Sequence, residues 1–239
     1  MRHAFTIILL SLTIFHPARV GHAVSTSPRY EEVVYQKGRF ELKAFLCKPE
    51  GSGPFPAVVY NHGGLGDRIG GTPRETCEAL AKSGFVGFSP MRRQTIPLAG
   101  HLDDVFAGVD YVKSLNYVDS QRIGLIGFSR GALLAFMAAT RSGDFKAIVM
   151  MAPAWKIVEG PFLSDAPRVS APVLLLVSEN DTVQADHVRS TQMVKQALEA
   201  AGKDVQVIHY PPYQRDGHRM FFEVGTYWED VEAFLDKYL

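Results

Sequence analysis

Between residues 57 and 210 the chain switches repeatedly between short, almost wholly apolar runs and longer stretches in which apolar residues recur at helical spacing. The runs are Ala57 to Tyr60, Val86 to Phe88, Ile123 to Phe128, Ala147 to Met151, Val173 to Val177 and Val205 to Tyr210. A strand that is apolar on both sides needs cover on both sides, as in a parallel sheet with helices on each face. Helical periodicity over 74–83, 102–115, 131–140, 185–201 and 223–239 supplies that cover. Two earlier runs, Tyr30 to Tyr35 and Phe40 to Cys47, instead alternate apolar and polar residues, as half-exposed antiparallel strands do. The expectation is one doubly wound, mostly parallel α/β domain from about residue 24 to the end, with an antiparallel start. No internal repeat or low-complexity tract divides it.

The first 23 residues stand apart. Arg2 and His3 precede an apolar run from Ala4 to Phe15, and the small-residue ending Gly21-His22-Ala23 follows. This is the pattern of a secretory signal peptide cleaved after Ala23, which predicts a secreted or periplasmic domain over 24–239. The apolar run is shorter than the roughly 20 residues of a spanning helix, so no stable membrane anchor is expected. Cys47 and Cys77 are the two cysteines. Export would permit them to pair, but one ends a strand and the other sits inside a helix, and buried free thiols are the expectation. The 25 basic and 25 acidic side chains cancel, giving no reason to expect nucleic acid or an anionic membrane as partner. A small molecule is expected instead.

The most core-like segment, "GLIGFSRGALLAF" from Gly124 to Phe136, is broken by Ser129 and Arg130. Gly-Phe-Ser-Arg-Gly alone would serve as an ordinary turn. Its setting, after a buried strand and before a helix that is apolar on every side, is that of a nucleophile elbow, where a strained turn lifts a serine clear of the sheet. A serine hydroxyl then needs a base and an orienting acid, expected on loops after later strands in the order Ser, Asp or Glu, His. Asp181, in "SENDT" after Val177, is the acid, with Glu179 and Asp186 as competitors. His218, in "PPYQRDGHRM" after the last strand, is the base. His209 lies within a strand, His101 starts a helix, and His62 precedes Ser129. His187 opens an amphipathic helix and is expected to face solvent. For the oxyanion, the backbone N–H of Arg130 is one donor. The loop "NHGGLGDR" after Tyr60 offers the second at Gly64, with Leu65 as the alternative. No Lys-Ser or Lys-Thr follows those glycines, which excludes a P-loop.

With Ser129, Asp181, His218 and "HGGLG" in this order, the chain resembles the α/β-hydrolase superfamily, and "LKAFLCKPEGSGPFPAVVYNHGGLG" looks most like the dienelactone hydrolase family. That resemblance covers residues 30 to 239 and implies a minimal hydrolase of small esters or lactones without a large cap domain. About 20 residues separate the strands at 147–151 and 173–177, which also leaves no room for a lid. The name-giving members of the family carry cysteine at the elbow. Ser129 stands here, which points to a carboxylesterase-type serine hydrolase rather than to dienelactone itself.

Arg92 and Arg93 follow a strand on the same sheet edge, where they either grip a substrate carboxylate or are solvated. Trp155, Tyr210 and Tyr213 either form an aromatic wall or belong to the core. No ligand spacing argues for a metal or cofactor. Two other classes stay open: a serine peptidase using the same three residues, and a non-catalytic binding protein on a hydrolase scaffold.

Overall fold

The computed structural model describes residues 30–39, 41–64 and 69–239. The expected signal peptide, Phe40 and Leu65 lie outside them. Eight strands run β1 Tyr30–Gln36, β2 Leu42–Cys47, β3 Phe55–Asn61, β4 Val86–Pro90, β5 Val118–Phe128, β6 Phe145–Met151, β7 Val173–Ser178 and β8 Val205–Tyr210. They form one sheet in the order β1-β2-β4-β3-β5-β6-β7-β8. β1 pairs antiparallel with β2 and β2 antiparallel with β4, and all the later neighbours are parallel. The change from alternating to continuous apolar sequence therefore marks where the sheet changes from antiparallel to parallel.

The helices are α1 Pro73–Lys82, α2 His101–Lys113, α3 Arg130–Ala139, the short α4 Lys156–Glu159, α5 His187–Ala200 and α6 Trp228–Tyr238. Alternate strand residues feed two cores. Ala57, Val59, Leu125, Val173 and Leu175 pack on one face with α2, α3 and α5. Val58, Tyr60, Ile126, Leu174 and Leu176 pack on the other with α1 and α6. This is α/β-hydrolase architecture. Helix α3 is buried on every side except at Met137, and each fully buried Leu or Phe contributes roughly 1.5–3 kcal/mol relative to exposure. Between β6 and β7 the chain forms only α4 and a 3-10 segment, Pro161–Arg168, so no cap domain is inserted there.

Cys47 and Cys77 are not free thiols. They form a disulfide across a Cα separation of 5.6 Å. The cause is a contact between elements distant in sequence. Cys47 pairs across the sheet with Gly87 of β4. Helix α1 lies so close over that glycine that a Cβ there would meet the Cys77 carbonyl oxygen at 2.5 Å. No side chain stands between the two sulfurs.

Candidate active site

Ser129 sits between β5 and α3 with φ 53° and ψ −112°, a backbone conformation that costs a non-glycine residue on the order of 1–3 kcal/mol. Its surroundings hold it there. The Ser129 N–H donates to Met151 O at 2.9 Å, and its carbonyl accepts from the N–H groups of Ala132 at 3.0 Å and Ala154 at 3.1 Å. The flanking glycines are required by contact. A Cβ on Gly127 would lie 2.3 Å from Gly131 O, and one on Gly131 would lie 1.8 Å from Asn61 O. The result is a partly exposed serine at the start of a helix, where the N–H of Arg130 has no helical carbonyl to bond.

Asp181 and His218 reach the same edge of the sheet from the loops after β7 and β8. Asp181 is fully buried. His218 Nδ1 lies 3.0 Å from its Oδ2 and 3.2 Å from its Oδ1. Since an ionised carboxylate only accepts, Nδ1 carries the hydrogen and Nε2 is left as the acceptor in the neutral ring. The His218 N–H donates to Asp216 Oδ1 at 3.1 Å, starting the 3-10 turn Gly217–Phe222. Asn180 ties the two loops together: its Oδ1 accepts from the Ser178 hydroxyl at 2.9 Å and the Tyr213 N–H at 2.8 Å, and its Nδ2 donates to Gln214 O at 3.3 Å. Ser129, His218, Arg130, Gly64 and Trp155 all line one cavity of about 380 Å³, whose apolar wall includes Leu98, Phe128, Leu133 and Phe222.

A serine on a strained strand-to-helix turn, sharing a cavity with an aspartate-bound histidine, is an arrangement chemically able to support acyl transfer. The sequence pattern of the dienelactone hydrolase family matches residues 91–215, more than half of the chain. The chain belongs to the dienelactone hydrolase family. It is a hydrolase of esterase type. A Yersinia pestis protein named as a carboxymethylenebutenolidase is 27% identical over 203 residues, covering 72% of each chain. A Klebsiella pneumoniae structure described as a dienelactone hydrolase superposes with a TM-score of 0.66 at 21% identity, covering 88% of this chain and 99% of that one. Porphyromonas gingivalis dipeptidyl peptidase 4 shares the fold with a TM-score of 0.70 at 20% identity, covering 89% of this chain and 36% of the peptidase.

Several residues of this dienelactone hydrolase family member sit differently from expectation. Arg92 is neither solvated nor on the cavity wall. It is buried beneath the glycine loop, where its guanidinium donates to His62 O at 2.6 Å and Gly63 O at 3.3 Å. Burial, and then the charge of Arg130, lower its pKa to about 10, so it remains a cation. Arg93 is held by Asp104 through Nε at 2.8 Å. Tyr213 lines a neighbouring polar groove with Asp216, Arg219 and Glu223, and its hydroxyl donates to Glu223. Tyr210, for its part, donates to Asp230 at 2.6 Å. The cations on the cavity wall are Arg130 and Lys156, and no carboxylate pairs with Arg130 among the described residues.

His187 is a further correction and the residue missed. It is buried and lines the cavity, because helix α5 presents it inward on the stripe of Ser190, Thr191, Val194 and Leu198. That spacing is visible in the sequence: 187, 194 and 198 share a helical face. Asp181, His187 and His218 bring possible metal-ligand atoms within 4.8 Å of one another. The two rings are stacked with planes 24° apart, however, so their in-plane lone pairs run side by side rather than converge, which suits hydrogen bonding better than ligation.

Proposed function

We propose that this protein is a serine carboxylic-ester hydrolase acting on small soluble esters or lactones through an acyl-enzyme intermediate. The observation that carries the reading is the meeting in one cavity of strained Ser129 with the Asp181-bound His218. Ser129 Oγ attacks the ester carbonyl carbon while His218 Nε2 takes its proton. Asp181 holds the ring tautomer and stabilises the imidazolium. The backbone N–H groups of Arg130 and Gly64 receive the oxyanion. The tetrahedral carbon then expels the alkoxide, which leaves as alcohol with the proton from His218. Water, losing a proton to His218, attacks the acyl-enzyme, and collapse frees the carboxylic acid and restores the Ser129 hydroxyl. Side chains and water account for every bond and proton in these steps.

The size and apolar wall of the cavity, with Trp155 on it and no cap domain inserted between β6 and β7, favour short esters over long acyl chains. Arg130 and Lys156 make an acid group on the substrate compatible with that wall. We also read the protein as exported, on the pattern of residues 1–23 and on a disulfide of the kind that persists in oxidising compartments. Hydrolysis of p-nitrophenyl esters from acetate to decanoate tests the function. Expected are rates that fall with chain length and disappear in Ser129→Ala, together with fluorophosphonate labelling of the wild type alone. Full activity in Ser129→Ala would sink the assignment.

A further inference from the structure

His187 has no part in the steps above, yet it is fastened to both members of the acid–base pair. Its backbone N–H donates to Asp181 O at 3.0 Å, which folds the loop after β7 back on itself. Its ring stacks on His218 with centroids 4.3 Å apart. Its Nδ1 lies 3.2 Å from Pro153 O. A carbonyl can only accept, so Nδ1 carries the hydrogen, and in the neutral ring Nε2 has a lone pair. That Nε2 lies 4.0 Å from Asp181 Oδ1, while the other carboxylate oxygen serves His218 at 3.0 Å.

We propose that His187 is a positioning residue for the His218–Asp181 pair: uncharged, it braces the His218 imidazole face-on; protonated at Nε2, it takes one oxygen of Asp181 and divides the carboxylate between two rings. The site works only while His187 is neutral. This rests on the hydrolase mechanism above, since it is the imidazolium formed on His218 that needs the undivided carboxylate. While His187 is neutral, that imidazolium lies over an aromatic face, and Phe128 touches the same ring at 4.6 Å. With His187 charged, two like charges are stacked. The fold keeps His187 uncharged: burial lowers its pKa, the His218 charge lowers it further, and Asp181, the Pro153 carbonyl and Asp216 act in the opposite direction. Asp186 and Arg189 stand on its own helix, and Arg130 and Lys156 stand across the cavity. Because the pKa is lowered from the ordinary histidine value, the ring is neutral at neutral pH and gains its proton only on acidification.

The full chain is compared with His187→Phe, which keeps a flat ring without a proton site, and with His187→Leu, which keeps bulk without flatness. Thermal melting checks that both variants fold. At about pH 8, kcat of the Leu variant is expected to fall at least tenfold with KM changed less than threefold, and the Phe variant to recover most of the loss. A second readout needs no substrate: the proton resonance of the His218 Nδ1–H bonded to Asp181. Across an acid titration from about pH 8 to the acid limit of the fold it should lie increasingly upfield in wild type relative to His187→Phe, where no second ring draws on Asp181, whatever displacement the two proteins share. Equal rates for the Leu and Phe variants, or the same acid response of that resonance in wild type and His187→Phe, would overturn the proposal. If wild type turns over no ester, the hydrolase mechanism is what has failed, and the resonance alone decides the role of His187.

Discussion

Arg92 shows how much a single side chain can be misjudged from its place in the sequence. Following a strand on the edge that bears Ser129, it looks like a substrate ligand or a solvated cation. It is instead a buried clamp, donating to the carbonyls of His62 and Gly63 just before Gly64. If the Gly64 N–H receives the oxyanion as proposed, a residue that fixes it acts on the transition state more than on the ground state. Arg92→Met is therefore expected to lower kcat by about ten- to a hundredfold while KM changes little, as steady-state kinetics on a short ester would read. A KM effect without loss of kcat would instead return Arg92 to substrate binding. The same misjudgement placed His187 in solvent: polar residues surround it in sequence, and only the stripe it shares with Val194 and Leu198 signals that it faces inward.

The strand–turn–helix unit β5–Ser129–α3 was the most legible element, and the reason is physical. A serine turn between a buried strand and a helix apolar on every side leaves few arrangements that satisfy burial, and the two glycines fit only if backbones meet there. Gly131→Ala would drive a methyl into Asn61 O, an obstacle of backbone rather than a movable side chain. The expected loss is roughly 3 kcal/mol, measurable as a lowered urea midpoint, with ester hydrolysis lost at the same time. A midpoint within experimental error of wild type would mean that the helix is not pressed against β3. Strand existence was equally legible, because each parallel strand carries a nearly continuous apolar run. Strand limits were not: β5 begins at Val118, within a polar stretch, because Val118 pairs with Phe55 beyond the apolar run. The positions of Asn180 and Tyr213 depend on loop-to-loop hydrogen bonds that carry no period at all.

At the scale of the molecule, the sheet is one continuous array, but its two ends are secured differently. The parallel part is covered on both faces by helices. The antiparallel edge of β1 and β2 is tied in by the Cys47–Cys77 disulfide, which closes a loop of 30 residues. That pairing was hidden in the sequence because it depends on β2 lying beside β4, a non-local neighbour. Replacing both cysteines by alanine is expected to cost about 3 kcal/mol in chemical denaturation, with kcat/KM unchanged well below the melting temperature, since neither cysteine lines the cavity that holds Ser129. A large drop in kcat/KM in the folded double variant would show that the edge and the cavity are coupled. If they are not coupled, reducing surroundings leave each folded molecule working at full speed and shorten only its survival. Ageing by reduction would then appear as fewer working molecules rather than slower ones, and an assay normalised to intact protein would miss it.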